Sequence, residues 1–169
     1  MTITLIGYRG SGKSTVGAQL AARLNWDFVD SDTLIEQRAG KSIAEIFRDD
    51  GEPHFRFLEA GVLAELLTQP HMVIGAGGGA ILDSQTRAAM RLAGPVIWLQ
   101  ASASELLARI QADASSAQRR PALTDQDQQT EVEQVLAIRQ PLYAEAATMT
   151  VSVENRTVAA IVDEIVSRS

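Results

Sequence analysis

Cysteine is missing from this chain of 169 residues, and histidine is scarce. Without cysteine the chain forms neither a disulfide framework nor a thiolate metal site, which fits a reducing cytoplasm. The two histidines, His54 and His71, lack the spacing of metal ligands and are interpreted as structural or surface residues. Long apolar runs are also missing, and the chain opens directly on a strand-like run, so we expect no transmembrane helix and no signal peptide. These absences predict a cytoplasmic protein.

A surplus of positive charge is missing too. The chain has 15 lysines and arginines against 21 aspartates and glutamates, a formal net charge of −6. A general nucleic-acid binder needs a broad basic face, and only scattered arginines are present, so we expect neither nucleic acid nor a membrane as a partner. The length suits one domain, and no linker or internal repeat appears. We therefore expect a single domain over residues 1–169. A monomer is our working expectation for the oligomeric state, which the sequence itself does not specify.

Five short β-rich runs alternate with helical patterns. The runs cover residues 3–6, 28–30, 72–76, 96–99 and 149–153. Apolar spacing predicts helices over 15–24, on both sides of Gly40, after Pro53, over 131–145 and over 158–165. Strands separated by helices pair in parallel, and the crossover helices cover both faces of the sheet. The sequence therefore predicts an α/β fold, a three-layer sandwich around a five-stranded parallel sheet.

The segment Gly-Tyr-Arg-Gly-Ser-Gly-Lys-Ser, residues 7–14, stands between the first strand and the first helix. In that context a glycine-rich loop curls so that successive N–H groups point at phosphate oxygens, and the helix adds the positive end of its dipole. Lys13 can reach the β- and γ-phosphates of a nucleotide, and the Ser14 hydroxyl can ligate Mg²⁺. An accidental glycine-rich turn is the alternative, and the strand before and helix after argue against it. The expected nucleotide contacts are Gly10, Ser11, Gly12, Lys13, Ser14 and Thr15.

Two carboxylates, Asp30 and Asp32, flank Ser31 where the second strand ends. Ligands of open α/β folds bind at this carboxyl edge of the sheet, which also holds the phosphate loop. One carboxylate can lie near Mg²⁺ and the other can accept the proton or hydrogen bond of an attacking hydroxyl. Helix capping is the alternative explanation, with Ser31 as a candidate cap.

Three other features have both a functional and a purely structural explanation when each is considered alone. The glycines at 77–79 follow the third strand, where they either admit a bound molecule close to the backbone or form a sharp turn. Arg56 and Arg139 are ordinary surface arginines by residue type. Residues 112–129 lack an apolar face and include Arg119, Arg120 and Pro121, which we interpret as a mobile lid over the nucleotide; an ordinary disordered connection is the alternative.

Together these motifs resemble the shikimate kinase family over essentially the whole chain. The shared elements are the phosphate loop, Asp30-Ser31-Asp32, the segment 51–59 with Phe55-Arg56, the glycines at 77–79, Arg120-Pro121, and Arg139 ahead of Pro141-Leu142-Tyr143. The resemblance implies a P-loop kinase fold with strand order 2-3-1-4-5. It also implies transfer of the γ-phosphate of ATP to the 3-hydroxyl of shikimate, giving shikimate 3-phosphate and ADP, in the biosynthesis of chorismate and the aromatic amino acids.

The resemblance also assigns roles to residues. It implies that Asp32 meets the substrate hydroxyls, that Arg56 and Arg139 bind the substrate carboxylate, and that Gly78 and Gly79 line the ring. Asp30 joins Ser14 near Mg²⁺. Arg120 in the lid contacts the phosphates, with Arg119 as the alternative, and Arg156 lies beside the adenine. Lys13, Asp32 and Arg120 are thus the expected catalytic residues, and residues 31–68 the substrate-binding helical region.

Without the family resemblance, the residues leave three other functions open. The nearest alternative is another small-molecule kinase of this architecture, with gluconate or a nucleoside monophosphate as its acceptor. A GTPase switch lacks support, because neither Asn-Lys-x-Asp nor Asp-x-x-Gly occurs. A catalytically silent ATP-binding module is the third, and the presence of loop, carboxylates and arginines together argues against it.

Overall fold

The computed structural model describes residues 1–113 and 125–169. Five strands form one parallel sheet in the order β2-β3-β1-β4-β5. The strands are β1 (Thr2–Ile6), β2 (Asp27–Asp30), β3 (Met72–Gly75), β4 (Val96–Gln100) and β5 (Met149–Ser152). Both the five predicted strands and the strand order implied by the family resemblance are confirmed.

Eight helices are described, together with a short 3₁₀ turn at Ala80–Leu82. They are α1 (Lys13–Leu24), α2 (Ser31–Ala39), α3 (Ile43–Asp50), α4 (Glu52–Leu66), α5 (Ser84–Ala93), α6 (Ala103–Ala112), α7 (Asp125–Ala146) and α8 (Val158–Arg168). Gly40 ends α2 with a φ of 70°, so it separates two helices as predicted. Pro53 lies in the first turn of α4, where its missing N–H costs nothing. None of the helices within the described ranges is long and apolar enough to span a membrane.

Helix α7 begins at Asp125, six residues before the start that apolar spacing predicts. Its first part is rich in Asp and Gln, and the side chains of residues 127–130 are exposed or half-buried. Such a stretch carries no apolar periodicity because it packs against little, so spacing alone misses it. The expected lid at 112–129 is therefore helical over residues 125–129. Residues 114–124, with Arg119, Arg120 and Pro121, lie outside the described residues.

Each face of the sheet packs against its own apolar core. Alternate side chains of β4 enter opposite cores, with Ile97 and Leu99 on one side and Val96 and Trp98 on the other. The first core is covered mainly by α1, α6 and α8, and the second by α2 to α5. Helix α7 contributes to both cores. This three-layer arrangement brings the ends of β1, β2 and β3 side by side at one edge of the sheet.

Candidate active site

A cavity of about 410 Å³ opens at the carboxyl ends of the central strands. Its walls come from the loop after β1, the start of α2, helices α3, α4, α6 and α7, and the turn after β3. The predicted site residues that line it are Gly10, Gly12, Lys13, Ser14, Thr15, Asp30, Asp32, Arg56, Gly78, Gly79 and Arg139. The phosphate loop and the two distant arginines therefore share one cavity, as the motifs together predicted.

Three predicted residues are not on the described walls. Ser11 is buried behind the loop, with 1% of its surface exposed. Arg156 is drawn to α8 instead, where its guanidinium donates to Glu164 Oε2 at 2.5 Å and to the carbonyl oxygen of Ala160 at 3.2 Å. Arg120 lies outside the described residues. The expected roles of Arg156 and Arg120 stay predictions.

The loop after β1 is shaped for an anion. Gly12 has a φ of 93°, a left-handed conformation that favours glycine, and it stands at the N-cap of α1 without a side chain to bond the first N–H groups. Helices α2, α3, α5, α6 and α8 each begin with a side-chain cap instead. The uncapped start of α1 thus presents its N–H groups and dipole to the cavity.

Lys13 folds back over this loop. Its Nζ donates to the carbonyl oxygens of Gly7 at 2.7 Å and Tyr8 at 3.1 Å. Burial lowers the pKa of Lys13 to about 8; the nearby carboxylates of Asp32 and Asp30 oppose this change, and the Arg139 guanidinium adds slightly to it. The Lys13 ammonium is therefore poorly solvated, and a bound anion would stabilise its charge.

This lowered pKa predicts that ATP binding takes up a proton above pH 8. Phosphate oxygens beside Nζ favour the charged form, so the pKa of Lys13 rises on binding, and affinity for ATP falls as pH rises through 8 because the free lysine loses its proton. Titration calorimetry at pH 7.5 and 8.5, each in two buffers of different ionisation enthalpy, measures the uptake. We expect it to be larger at pH 8.5; an uptake that does not grow with pH would contradict the lowered pKa.

The structure shows which residue caps α2, and it is not the candidate Ser31. Asp30, not Ser31, is the N-cap: its Oδ1 accepts from Thr33 N at 3.0 Å, while its Oδ2 accepts from Ser14 Oγ at 2.8 Å. Ser31 is the first helical residue and is fully buried, and its Oγ accepts from Gly77 N at 3.0 Å. Asp32 follows in the first turn, with Oδ1 buried. Asp30 therefore joins the phosphate loop to α2, and Ser31 joins α2 to the glycine turn.

Arg56 is held in place from several sides. Its Nη1 donates to Glu59 Oε1 at 2.8 Å, one turn along α4, and Glu52 Oε1 lies 3.4 Å from Nη2. The guanidinium also lies over the Phe55 ring, 5.2 Å from its centroid. Such a fixed, planar group suits bidentate recognition of a carboxylate.

The three glycines after β3 leave room for the functional side chains themselves. A Cβ on Gly77 would lie 2.6 Å from Asp32 Oδ1 and 2.8 Å from Glu59 Oε2. On Gly79 it would lie 2.5 Å from both terminal nitrogens of Arg56. The sequence left two explanations for this run, close approach of a bound molecule or a sharp turn; the structure adds a third, because the site's own charged groups pack against Gly77 and Gly79.

Comparison with known proteins identifies the family. A family model described as shikimate kinase matches residues 9–169. A shikimate kinase of Rhodopirellula baltica is 43% identical over 161 residues, covering 95% of this chain and 86% of that protein. The chain belongs to the shikimate kinase family. The resemblance drawn from its motifs is thereby confirmed.

Further relatives agree. A shikimate kinase of Symbiobacterium thermophilum is 40% identical over 168 residues, covering 99% of this chain and 95% of that protein. The solved structure of the Acinetobacter baumannii shikimate kinase in complex with shikimate matches with a TM-score of 0.91 at 34% identity, covering 99% of this chain and 91% of that one. As a member of the shikimate kinase family, the chain is an ATP-dependent kinase.

The sequence did not single out every residue that lines the cavity of this shikimate kinase family member, and two charged residues that it missed are Glu59 and Arg109. Glu59 is 4% exposed, and among the described residues its Oε2 has no hydrogen-bond partner. Burial raises the pKa of Glu59, and the cations of Arg56 and Arg139 oppose that rise. The i, i+3 spacing from Arg56 signals contact along a helix, but not burial.

Arg109 is the second missed residue. It lines the cavity beside the phosphate loop, where a Cβ on Gly12 would lie 3.7 Å from its Nη1. Its Nε donates to Glu105 Oε1 at 2.8 Å and its Nη2 to the Val153 carbonyl oxygen at 3.0 Å. No local pattern separates it from a surface arginine, because its place depends on how α6 packs beside the loop.

Proposed function

We propose that this kinase transfers the γ-phosphate of ATP to the 3-hydroxyl of shikimate through the residues of the cavity described above. The observation that carries the proposal is the sharing of one cavity by the phosphate loop, Asp32, Arg56 and Arg139. The family supports the reaction, and the cavity supports the residue roles. The phosphate loop suits a nucleotide, and the two arginines suit a small carboxylic acid.

The acid end is formed by cations. Arg56 and Arg139 reach the cavity from α4 and α7, and two guanidinium groups neutralise and orient one carboxylate. Glu59 also lines the cavity and holds Arg56 in position through the bond from Nη1. The helices within residues 31–68 therefore form the substrate-binding region, completed by Arg139.

The reacting end lies between Asp32 and Lys13. The substrate oxygen forms a bond to the γ-phosphorus while the bond from that phosphorus to the bridging oxygen breaks, and ADP leaves. Asp32 accepts the hydrogen bond of the attacking hydroxyl and receives or relays its proton. Lys13, with the N–H groups at the start of α1, stabilises the charge on the phosphates.

Ser14 and Asp30 fit a magnesium ion. Their hydroxyl and carboxylate oxygens face the cavity within 2.8 Å of one another, and Mg²⁺ prefers oxygen donors. Within residues 1–113 and 125–169 no group of three or more His, Asp or Glu side chains is arranged as a metal site, which suits an ion bound chiefly through nucleotide phosphates and water. When bound, the ion would neutralise phosphate charge. Arg109 then lies where it can flank the nucleotide beyond the loop.

The decisive experiment measures ADP release with and without shikimate. Gluconate and a nucleoside monophosphate serve as alternative acceptors, and mass spectrometry identifies the phosphorylated product. We expect release to depend on shikimate and to yield one phosphate ester. ADP release that does not depend on shikimate, or that depends on another acceptor, would overturn the proposal.

Replacing Arg56 with lysine tests the carboxylate site. Lysine keeps the charge but loses the bidentate fork, so we expect binding of shikimate to weaken by about 1–3 kcal/mol while ATP binding changes little. Titration calorimetry measures both affinities. Arg38→Lys is the matched control, because Arg38 pairs with Glu65 on the surface, and it should leave both affinities unchanged. An unaltered shikimate affinity in Arg56→Lys would remove Arg56 from the site.

A further inference from the structure

The hydroxyl of Tyr143 touches both elements that carry the proposed acid-binding groups. Tyr143 is fully buried in α7, and its Oη donates to the carbonyl oxygen of Gly78 at 2.7 Å. The Arg139 side chain, from one turn earlier in the helix, lies beside the same glycine: a Cβ on Gly78 would be 3.3 Å from Arg139 Nη1 and 3.6 Å from Tyr143 Oη. The phenol, the glycine turn and an arginine of the site therefore meet at Gly78.

That link determines the direction of a peptide plane. Gly78 C=O and Gly79 N–H belong to the same trans peptide, so a carbonyl held by Tyr143 directs the Gly79 N–H the opposite way. Three successive glycines are conformationally permissive, and their orientation has to come from outside the run. Ser31 Oγ holds the other end by accepting from Gly77 N.

The environment of Tyr143 suits this task. Its ring stacks on Trp98 with centroids 5.6 Å apart, which fixes the hydroxyl without using it. Burial raises the pKa of Tyr143 to about 12, so the phenol keeps its proton and remains a donor throughout the working range of the enzyme.

We propose that the Tyr143 hydroxyl is a positioning group for the acid substrate, because it orients the Gly78–Gly79 peptide beside the Arg139 guanidinium. The inference rests on the proposed function. Tyr143 itself does not line the cavity; it acts through Gly78, which does.

Tyr143→Phe tests this, since the ring and its stacking on Trp98 are kept. We expect the KM for shikimate to rise about tenfold, the factor for one lost hydrogen bond to an aligned group, with the KM for ATP within about twofold of wild type. In the substrate-free protein, the Gly79 amide resonance should also shift. This second measurement needs no turnover, so a wild-type protein inactive on shikimate would overturn the proposed function while leaving the orientation of Gly79 testable.

Thr148→Val is the matched control. The Thr148 hydroxyl bonds the Val96 backbone far from the cavity, at 2.9 Å and 3.1 Å, so its loss should lower the melting temperature without changing either KM. If Tyr143→Phe is too unstable to purify, the comparison is made in a Gly61→Ala background, because that exposed helical glycine has no neighbour within 4 Å and alanine favours the helix. An unchanged KM for shikimate, an equal rise in both KM values, or an unshifted Gly79 resonance would each overturn the positioning role.

Discussion

Asp32→Asn is expected to lower kcat by about 10²- to 10⁴-fold, the range for loss of a positioned proton acceptor. A carboxylate only accepts hydrogen bonds, so it orients the hydroxyl proton away from the phosphorus, whereas an amide also presents a donor. Asp32 Oδ1 is buried against Gly77, where a Cβ would lie 2.6 Å from it and 2.8 Å from Glu59 Oε2. Steady-state kinetics with saturating ATP and shikimate measure the effect.

ATP binding separates this role from a general loss of structure. The Asp32→Asn protein should bind ATP close to normally at pH 6.5, because Ser14 and the loop backbone are untouched and Lys13 keeps its proton there even though loss of the Asp32 charge lowers its pKa further. Asp27→Asn is the control: Asp27 is exposed at the opposite end of the sheet, at the start of β2, and the change should leave kcat unaltered. Near-normal turnover by Asp32→Asn would exclude Asp32 from the transfer step.

Gly79→Ala is expected to raise the KM for shikimate by about 10- to 100-fold, the cost of losing a charge-assisted hydrogen bond. The new methyl group would stand 2.5 Å from the Arg56 guanidinium, which must move. The backbone of Gly79, at φ −97° and ψ 3°, can be adopted by alanine, so the main effect of the change is the movement of the guanidinium. This movement weakens the ion pair with the buried Glu59, and the free energy of unfolding should fall by about 1–3 kcal/mol.

Gly61→Ala provides the matched comparison for Gly79→Ala. It is the same substitution on α4, the helix that carries Arg56, but beyond the chain neighbours and the helix's own backbone no described atom lies within 4 Å of the new Cβ. We expect it to stabilise the protein by about 0.5–1 kcal/mol without altering the KM for shikimate. Chemical denaturation and kinetics on both variants check the pair. A normal KM in Gly79→Ala would mean that Arg56 does not hold the acid.

Much of this architecture was predictable because it rests on local chemistry. The five strands follow from short apolar runs, and the loop at 7–14 carries its own glycine and lysine signature between strand and helix. The parallel order then brings Asp30 and the turn at Gly77 to one edge. The strand order itself required the family resemblance, since crossover rules leave several parallel orders open.

What could not be predicted depends on packing between distant segments. Arg109 and Arg156 look alike in the sequence, yet α6 turns one into the cavity and α8 draws the other away. Glu59 could not be assigned to the site from the sequence, because the sequence does not show that this side chain is buried. Ser31 and Asp30 are both good capping residues, and only the position of the glycine turn, which uses the Ser31 hydroxyl, decides which one caps α2.

Helix α7 belongs to both apolar cores at once. Val132 and Leu136 pack into the first core and Tyr143 into the second, with Arg139 in the turn between them. Because both cores hold the same helix, we expect the two layers to unfold as one cooperative unit. The acid binding that we propose for Arg139 should then be lost in the same transition.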